Sequence, residues 1–195
     1  PRVGAVALPW ALHRARAAVV LPARGDGVGQ LRAQLLGHEL ELAALIGKTV
    51  RNAKESEGYP AAQGYAVALD VTLQDVQDQL KAKGHPWEIA KGFDGSCPVS
   101  PFVPAAQVPA PQDILVRMKV NGELRQNAPV SGLIFDIPTL IETLARTLTL
   151  EPGDIIATGT PAGVGMGFKP PRYLKQGDVV AITIEPIGTI ENPVA

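Results

Sequence analysis

The sequence predicts an α+β fold, strand-dominated, with a rolled or sandwiched sheet. Three observations carry this. Short apolar segments recur along the chain between turn residues, and only two stretches have helical spacing. Gly and Pro number 20 and 18 of 195 residues, well above the roughly 12% of average usage. Hydrophobic residues are 46% and charged residues 19%, enough apolar matter for a core. The length favours one domain, so residues 1–195 are expected to form a single unit.

The elements follow in order. Val3–Leu8 reads as a short strand that Pro9-Trp10 breaks. Ala17–Leu21 reads as another, and residues 24–29 as a loop. His38-Glu39-Leu40-Glu41-Leu42 alternates with period two, a strand signature. It runs through Ala43–Ile46 and stops at Gly47. Tyr65–Val71 is a second apolar strand. Thr72-Leu73-Gln74-Asp75 has the S/T-x-x-D/E form of a helix start. Val76 and Leu80 are four apart and Gly84 fits a C-terminal stop, which places a helix at 73–83. Residues 92–113 are Pro-rich and irregular. Ile114–Val120 and Glu123–Gln126 flank Asn121-Gly122, whose two positive-φ positions make a type I′ hairpin. Asp136-Ile137-Pro138 opens a second helix with Leu140, Leu144 and Leu148 as its apolar stripe. Glu151-Pro152-Gly153-Asp154 is a turn, and Ile155–Thr158 a strand. Asp178–Ile184 and Thr189–Asn192 close the fold around Ile187-Gly188.

Composition excludes several functions. The net charge is −1 and aromatics are 5%, so neither an electrostatic footprint for nucleic acid nor a base-stacking surface is expected. No apolar run nears the ~20 residues that span a bilayer. Cys97 is the only cysteine, which forbids an intramolecular disulfide and a thiolate metal cage. A cytoplasmic location is the simplest expectation.

Chemistry concentrates in a few residues. Glu39 and Glu41, at i and i+2 of a strand, share one face with Cα atoms roughly 6–7 Å apart, while Leu40 and Leu42 face the core. Such a pair is either a solvated face or half of a cation site. Asp70 closes an apolar strand and either serves the following helix or is a third oxygen ligand. Three carboxylates make a hard, all-oxygen site suited to Mg2+ or Mn2+. Lys91 lies in a largely apolar stretch between Trp87 and Phe93, and is either a solvated surface lysine or a partly desolvated cation aimed at an anion. The loop Thr158-Gly159-Thr160-Pro161-Ala162-Gly163-Val164-Gly165 lacks the Lys of a P-loop and reads as a backbone cradle for a carboxylate. There is no G-x-S-x-G nucleophile. Cys97 reads as a small buried residue. Strict alternation turns His38 away from the glutamate face, and His85 falls in a loop.

Taken in order, these residues resemble the fumarylacetoacetate hydrolase superfamily. The matching segments are His38–Leu42, Ile46-Gly47-Lys48, Gly64-Tyr65 to Thr72, Trp87 to Asp94, Val120 to Gln126 and Pro152 to Gly165. The resemblance covers about residues 36–190, and its nearest branch holds acylpyruvate hydrolases and oxaloacetate decarboxylases. It implies a mixed β-roll, usually assembled as a homodimer. It also implies Mg2+ or Mn2+ on Glu39, Glu41 and Asp70, with Lys91 as the catalytic lysine. Gln77 and Thr158, Gly159 and Thr160 are the implied substrate contacts. The implied activity is metal-dependent hydrolysis of a C–C bond in acylpyruvates such as fumarylpyruvate, through the enolate of pyruvate. Oxaloacetate decarboxylation and 2-hydroxy-dienoate isomerisation use the same site, and a non-catalytic binding protein is the third reading. Two departures stand out. Gln74 replaces the Arg of a T-x-R-D helix start. The family's N-terminal N-Y-x-x-H lid motif has no match near residues 8–11, where an incomplete lid region is expected.

Overall fold

The structure is a computed structural model that describes residues 7–8 and 35–195. The expected strand at 17–21 and loop at 24–29 lie outside the described residues, as does most of the expected strand at 3–8. Nine strands are described: β1 (Ala7–Leu8), β2 (Leu36–Ile46), β3 (Ala62–Leu73), β4 (Val103–Pro104), β5 (Leu115–Val120), β6 (Glu123–Pro129), β7 (Ile155–Ala157), β8 (Val179–Ile184) and β9 (Gly188–Pro193). Three helices join them: α1 (Gly58–Ala61), α2 (Gln74–Ala82) and α3 (Ile137–Thr147). One sheet has the order β1-β7-β2-β3-β4 and the other β6-β5-β8-β9. Every pairing of these strands is antiparallel. The α+β, strand-dominated expectation is met.

The long β2–β3 pair is the spine of the first sheet. The period-two pattern of β2 sends Leu36, Leu40, Leu42 and Ile46 into the main core with Tyr65, Val67, Leu69 and Val71 of β3. From the second sheet, Val116, Met118, Val120, Val180, Ile182 and Ile184 pack into the same core. β3 is central and covered on both faces, which explains its nearly unbroken apolar run. Its outer edge is closed by residues 96–100, where Val71 and Leu69 donate N–H bonds to Ser96 O and Pro98 O and Ser100 N–H reaches Val67 O.

The Asn121-Gly122 hairpin forms as expected, with φ of 52° and 80°. The Asn121 side chain ties it down, donating to Asp178 and accepting from Val179 N–H. The cap of α3 is also as expected, since Asp136 Oδ1 accepts from Thr139 N–H at 2.9 Å. Its stripe differs. α3 ends at Thr147, so Leu148 leaves helical geometry and is exposed. Leu140 is buried and Leu144 packs half-buried against the core as expected, and Ile137, Ile141 and Ala145 complete the buried face. The start of α2 differs as well. No side chain caps it, and the hydroxyl of Thr72 is used elsewhere. Among the described residues, no helix is long and apolar enough to cross a membrane.

Candidate metal centre

The pleat of β2 and its register with β3 build the centre. Glu39 pairs with Asp70 and Glu41 with Ala68, so Glu39, Glu41 and Asp70 project from one face. One carboxylate oxygen from each lies within 4.8 Å of the others. This face also carries Ala43, Ala66 and Ala68, which pack with Ile155 and leave the carboxylates as its functional groups.

Lys91 follows a short 3-10 turn, Glu88–Ala90, and reaches back across the cluster. Its Nζ lies 2.7 Å from Asp70 Oδ2 and 3.1 Å from Glu39 Oε1. A third bond, 2.6 Å long, goes to Thr72 Oγ1. Thr72 in turn donates to Glu39 Oε1 at 3.1 Å. The Trp87 ring pairs with the Lys81 ammonium, which lies 4.8 Å from its centroid.

Burial dominates the electrostatics. It pushes the Glu41 carboxyl up to about 8, with the Asp70 charge adding and the Gly159 N–H opposing. It pushes Asp70 up to about 6, against the pull of Lys91. Burial alone would lower Lys91, but Asp70 and Glu39 outweigh it and hold its ammonium above the ordinary lysine value. Three carboxylates facing one ammonium leave two negative charges unbalanced at full ionisation. A divalent cation cancels that charge, and an all-carboxylate donor set suits a hard one. The donor set therefore fits a hard divalent cation, which Glu39, Glu41 and Asp70 would hold.

The loop after β7 meets this centre at Glu41. Gly159, at φ 99°, donates its N–H to Glu41 Oε2 at 2.9 Å. The expected carboxylate cradle thus holds a carboxylate of the protein itself. The Thr158 hydroxyl donates to Leu42 O, and Thr160 Oγ1 accepts from Gln126 Nε2. Gln77 is buried but tied to its own helix, accepting from Lys81 Nζ at 2.8 Å and from Gln74 Nε2 at 3.4 Å. Gln74 also donates to Asp78.

Two residues of the centre left no local mark in the sequence. Thr72 reads as a helix cap, and only its bonds to Glu39 and Lys91 reveal it. Gln126 is buried in β6. Its Oε1 accepts the Leu40 N–H at 3.0 Å, between the two glutamates, while its Nε2 holds Thr160 and Pro161 O. Gly163 lets this loop lie against β6, because a Cβ there would collide with Arg125 O.

The histidines behave as expected, whereas Cys97 is half-buried rather than fully buried. His38 is buried on the opposite face of β2, where burial, aided by Arg125 and opposed by Asp178, lowers it to about 4. His85 is exposed. The Ala68–Val99 bridge sets Cys97 opposite Asp70. Burial, then Asp70 and Glu41, push its thiol up to about 12, so it is no nucleophile at neutral pH.

Comparison with known proteins agrees with this geometry. A family pattern described as fumarylacetoacetate (FAA) hydrolase C-terminal matches residues 3–195. The chain is 45% identical over 160 residues to oxaloacetate tautomerase YisK of Bacillus subtilis, covering 82% of this chain and 52% of that protein. It is 52% identical over 130 residues to a mitochondrial oxaloacetate tautomerase of Bos taurus, covering 67% and 59%. It therefore spans a little over half the length of these curated relatives. Among solved structures, fumarylpyruvate hydrolase of Pseudomonas aeruginosa in complex with Mn2+ and pyruvate superposes with a TM-score of 0.81. The identity is 31%, over 92% of this chain and 70% of that one. The 2-hydroxyhepta-2,4-diene-1,7-dioate isomerase of Mycobacterium marinum superposes at 0.77 with 37% identity, over 92% and 63%.

Proposed function

The chain belongs to the fumarylacetoacetate hydrolase family, and from that premise we propose that it is a divalent-cation-dependent enzyme acting on small 2-oxo acids. The reaction proposed is keto–enol tautomerisation of oxaloacetate. One observation carries the reading: three carboxylates, Glu41 buried and Glu39 and Asp70 half-buried, share one face, with the Lys91 ammonium laid across two of them. Mg2+ or Mn2+ held by Glu39, Glu41 and Asp70 would supply Lewis-acid polarisation of the 2-oxo group.

The residues of the chain do the rest. Tautomerisation moves one proton between C3 and the 2-oxygen, through an enolate, with no other change in composition. Lys91 is held protonated by Asp70 and Glu39, so it acts as a cation and hydrogen-bond donor toward the oxygen on which charge develops. Gly159 fixes Glu41, and the Thr158–Thr160 loop forms the wall beside it, the part of the site assigned to the substrate carboxylate. The high identity to two oxaloacetate tautomerases supports this choice of reaction.

A second reading is hydrolysis of the C–C bond of an acylpyruvate, supported by the likeness to fumarylpyruvate hydrolase. It passes through the same enolate but also needs a base for water. Neither described histidine faces the carboxylates, since His38 is behind β2 and His85 is exposed.

The test is a parallel assay of oxaloacetate and a synthetic acylpyruvate, each followed by loss of enol absorbance with Mg2+, with Mn2+ and with chelator. Oxaloacetate is expected to show the higher kcat/KM, abolished by chelator. Faster turnover of the acylpyruvate would transfer the assignment to hydrolysis. No cation-dependent turnover of either compound would refute both.

A further inference from the structure

The geometry points to Thr72 as the residue that positions Lys91 over the substrate, an inference that rests on the 2-oxo acid reading above. An ammonium has three N–H bonds. Those of Lys91 meet three acceptors, Asp70 Oδ2 at 2.7 Å, Thr72 Oγ1 at 2.6 Å and Glu39 Oε1 at 3.1 Å. Two of the three belong to the carboxylate set that suits a divalent cation. The third is neutral and lies outside that set. When Glu39 and Asp70 serve a cation, Thr72 is the anchor that keeps Lys91 in register.

The hydroxyl is built for this task. Its single proton goes to Glu39 Oε1, so its lone pairs are what it presents to Lys91, and the direction of both bonds is fixed. The residue is fully buried, and a β-branched side chain in a strand has few rotamers. Its partner across the sheet is Gly37, where a Cβ would come within 3.3 Å of Thr72 Cβ. Only a hydroxyl both donates to a carboxylate and accepts from an ammonium at this position; valine has the shape without the function, and serine the function without the methyl.

Calorimetry on the Mn2+-loaded protein tests the assignment. Oxalate, planar and dianionic like the enolate of pyruvate, probes the developing charge, while pyruvate probes the ground state. Thr72→Val is expected to weaken oxalate by about tenfold or more, the loss of one hydrogen bond to a charged group. Pyruvate and Mn2+ affinities should stay within about threefold. Thr72→Ser should restore oxalate to within about threefold of wild type. Lys91→Met should match Thr72→Val, and the double variant should add little. Thr72→Ala, measured beside Thr72→Val, separates loss of the hydroxyl from any folding defect that valine brings. Unchanged oxalate affinity in both variants would overturn the role of Thr72, as would a serine variant as weak as valine. Loss of Mn2+ affinity in Thr72→Val would also overturn it, by assigning the hydroxyl to Glu39 instead. A wild-type protein that binds Mn2+ but neither oxalate nor pyruvate would overturn the 2-oxo acid reading itself.

Discussion

On one face of the β2–β3 pair, Leu40, Leu42, Tyr65, Val67 and Leu69 fill the main core with large side chains. On the other, Ala43, Ala66 and Ala68 are small, and between them and the helix α2 stand Glu39, Glu41, Asp70 and Thr72. Both faces are buried, yet they spend burial differently. The first removes apolar surface from water and stabilises the fold. The second desolvates carboxylates, which costs stability and primes them for a cation. The pleat lets one pair of strands do both, because neighbouring residues never share a face.

The sharpest way to break this contrast is Glu41→Gln. It should lower Mn2+-dependent kcat by on the order of 10³-fold, the several kcal/mol that a polarising cation contributes. The thermal midpoint should not fall, since a neutral amide replaces a carboxyl that burial already disfavours as an anion. A midpoint several degrees lower would mean that the acidic face also carries the fold.

Leu40→Ala is the converse. Its side chain is fully buried, and truncation should cost about 2–5 kcal/mol in denaturant unfolding, with kcat of the folded fraction nearly unchanged. A kcat loss matching that of the glutamate variant would show the two faces to be coupled.

The core face also has a pH signature. Burial pushes the Tyr65 phenol up to about 12, against about 10 in an unfolded chain. The contribution of Tyr65 to stability should be flat below pH 10 and be lost as pH rises toward 12, because only the unfolded state ionises there. The loss should reach about 3 kcal/mol. The Cys97 thiol, also pushed up to about 12, contributes to the same limb, so the comparison is made on a Cys97→Ser background, where Tyr65→Phe should flatten the limb in pH-dependent urea melts. A limb of unchanged depth in that variant would assign it to another group.

Gln126→Leu is the mildest of the four and probes the link between faces. It leaves the Leu40 N–H without its acceptor, a cost of about 1–3 kcal/mol, and frees Thr160 from Nε2. KM should rise more than kcat falls, as read from steady-state kinetics, because the loop it steadies is the wall assigned to substrate. A pure stability loss with unchanged KM would make Gln126 a core residue only.

Much of this was legible in sequence wherever the determinant is local. Alternation exposes β2, Asn121-Gly122 the hairpin, and Asp136 with Pro138 the start of α3. The carboxylate set could be read because i, i+2 spacing fixes a face without knowing the fold. Thr72 was misread, since the same residue type caps helices and only the cross-strand position of Glu39 reveals its true partner. Residues 96–100 were read as irregular because Pro98 interrupts any alternation, although they pair with β3. The role of Gln126 left no trace, because its bonds reach Leu40 across 86 residues and no local period records such a contact.

The Gly159 bond to Glu41 spans 118 residues, and that separation bears on how the molecule is made. Glu39, Glu41, Asp70 and Lys91 are all synthesised before Gln126 and Gly159. At about 5–20 residues per second, a nascent chain holds its four charged groups for roughly ten seconds before the donor to Glu41 is synthesised. β7 arrives equally late, so the β2 edge at Ala43–Leu45, which it later covers, stays open to stray strand pairing meanwhile. Such distant closures are slow. A truncated chain ending before Ile155 would therefore display the acidic strand without its cover, and the centre is a property of residues 39–159 together rather than of the segment that bears its charges.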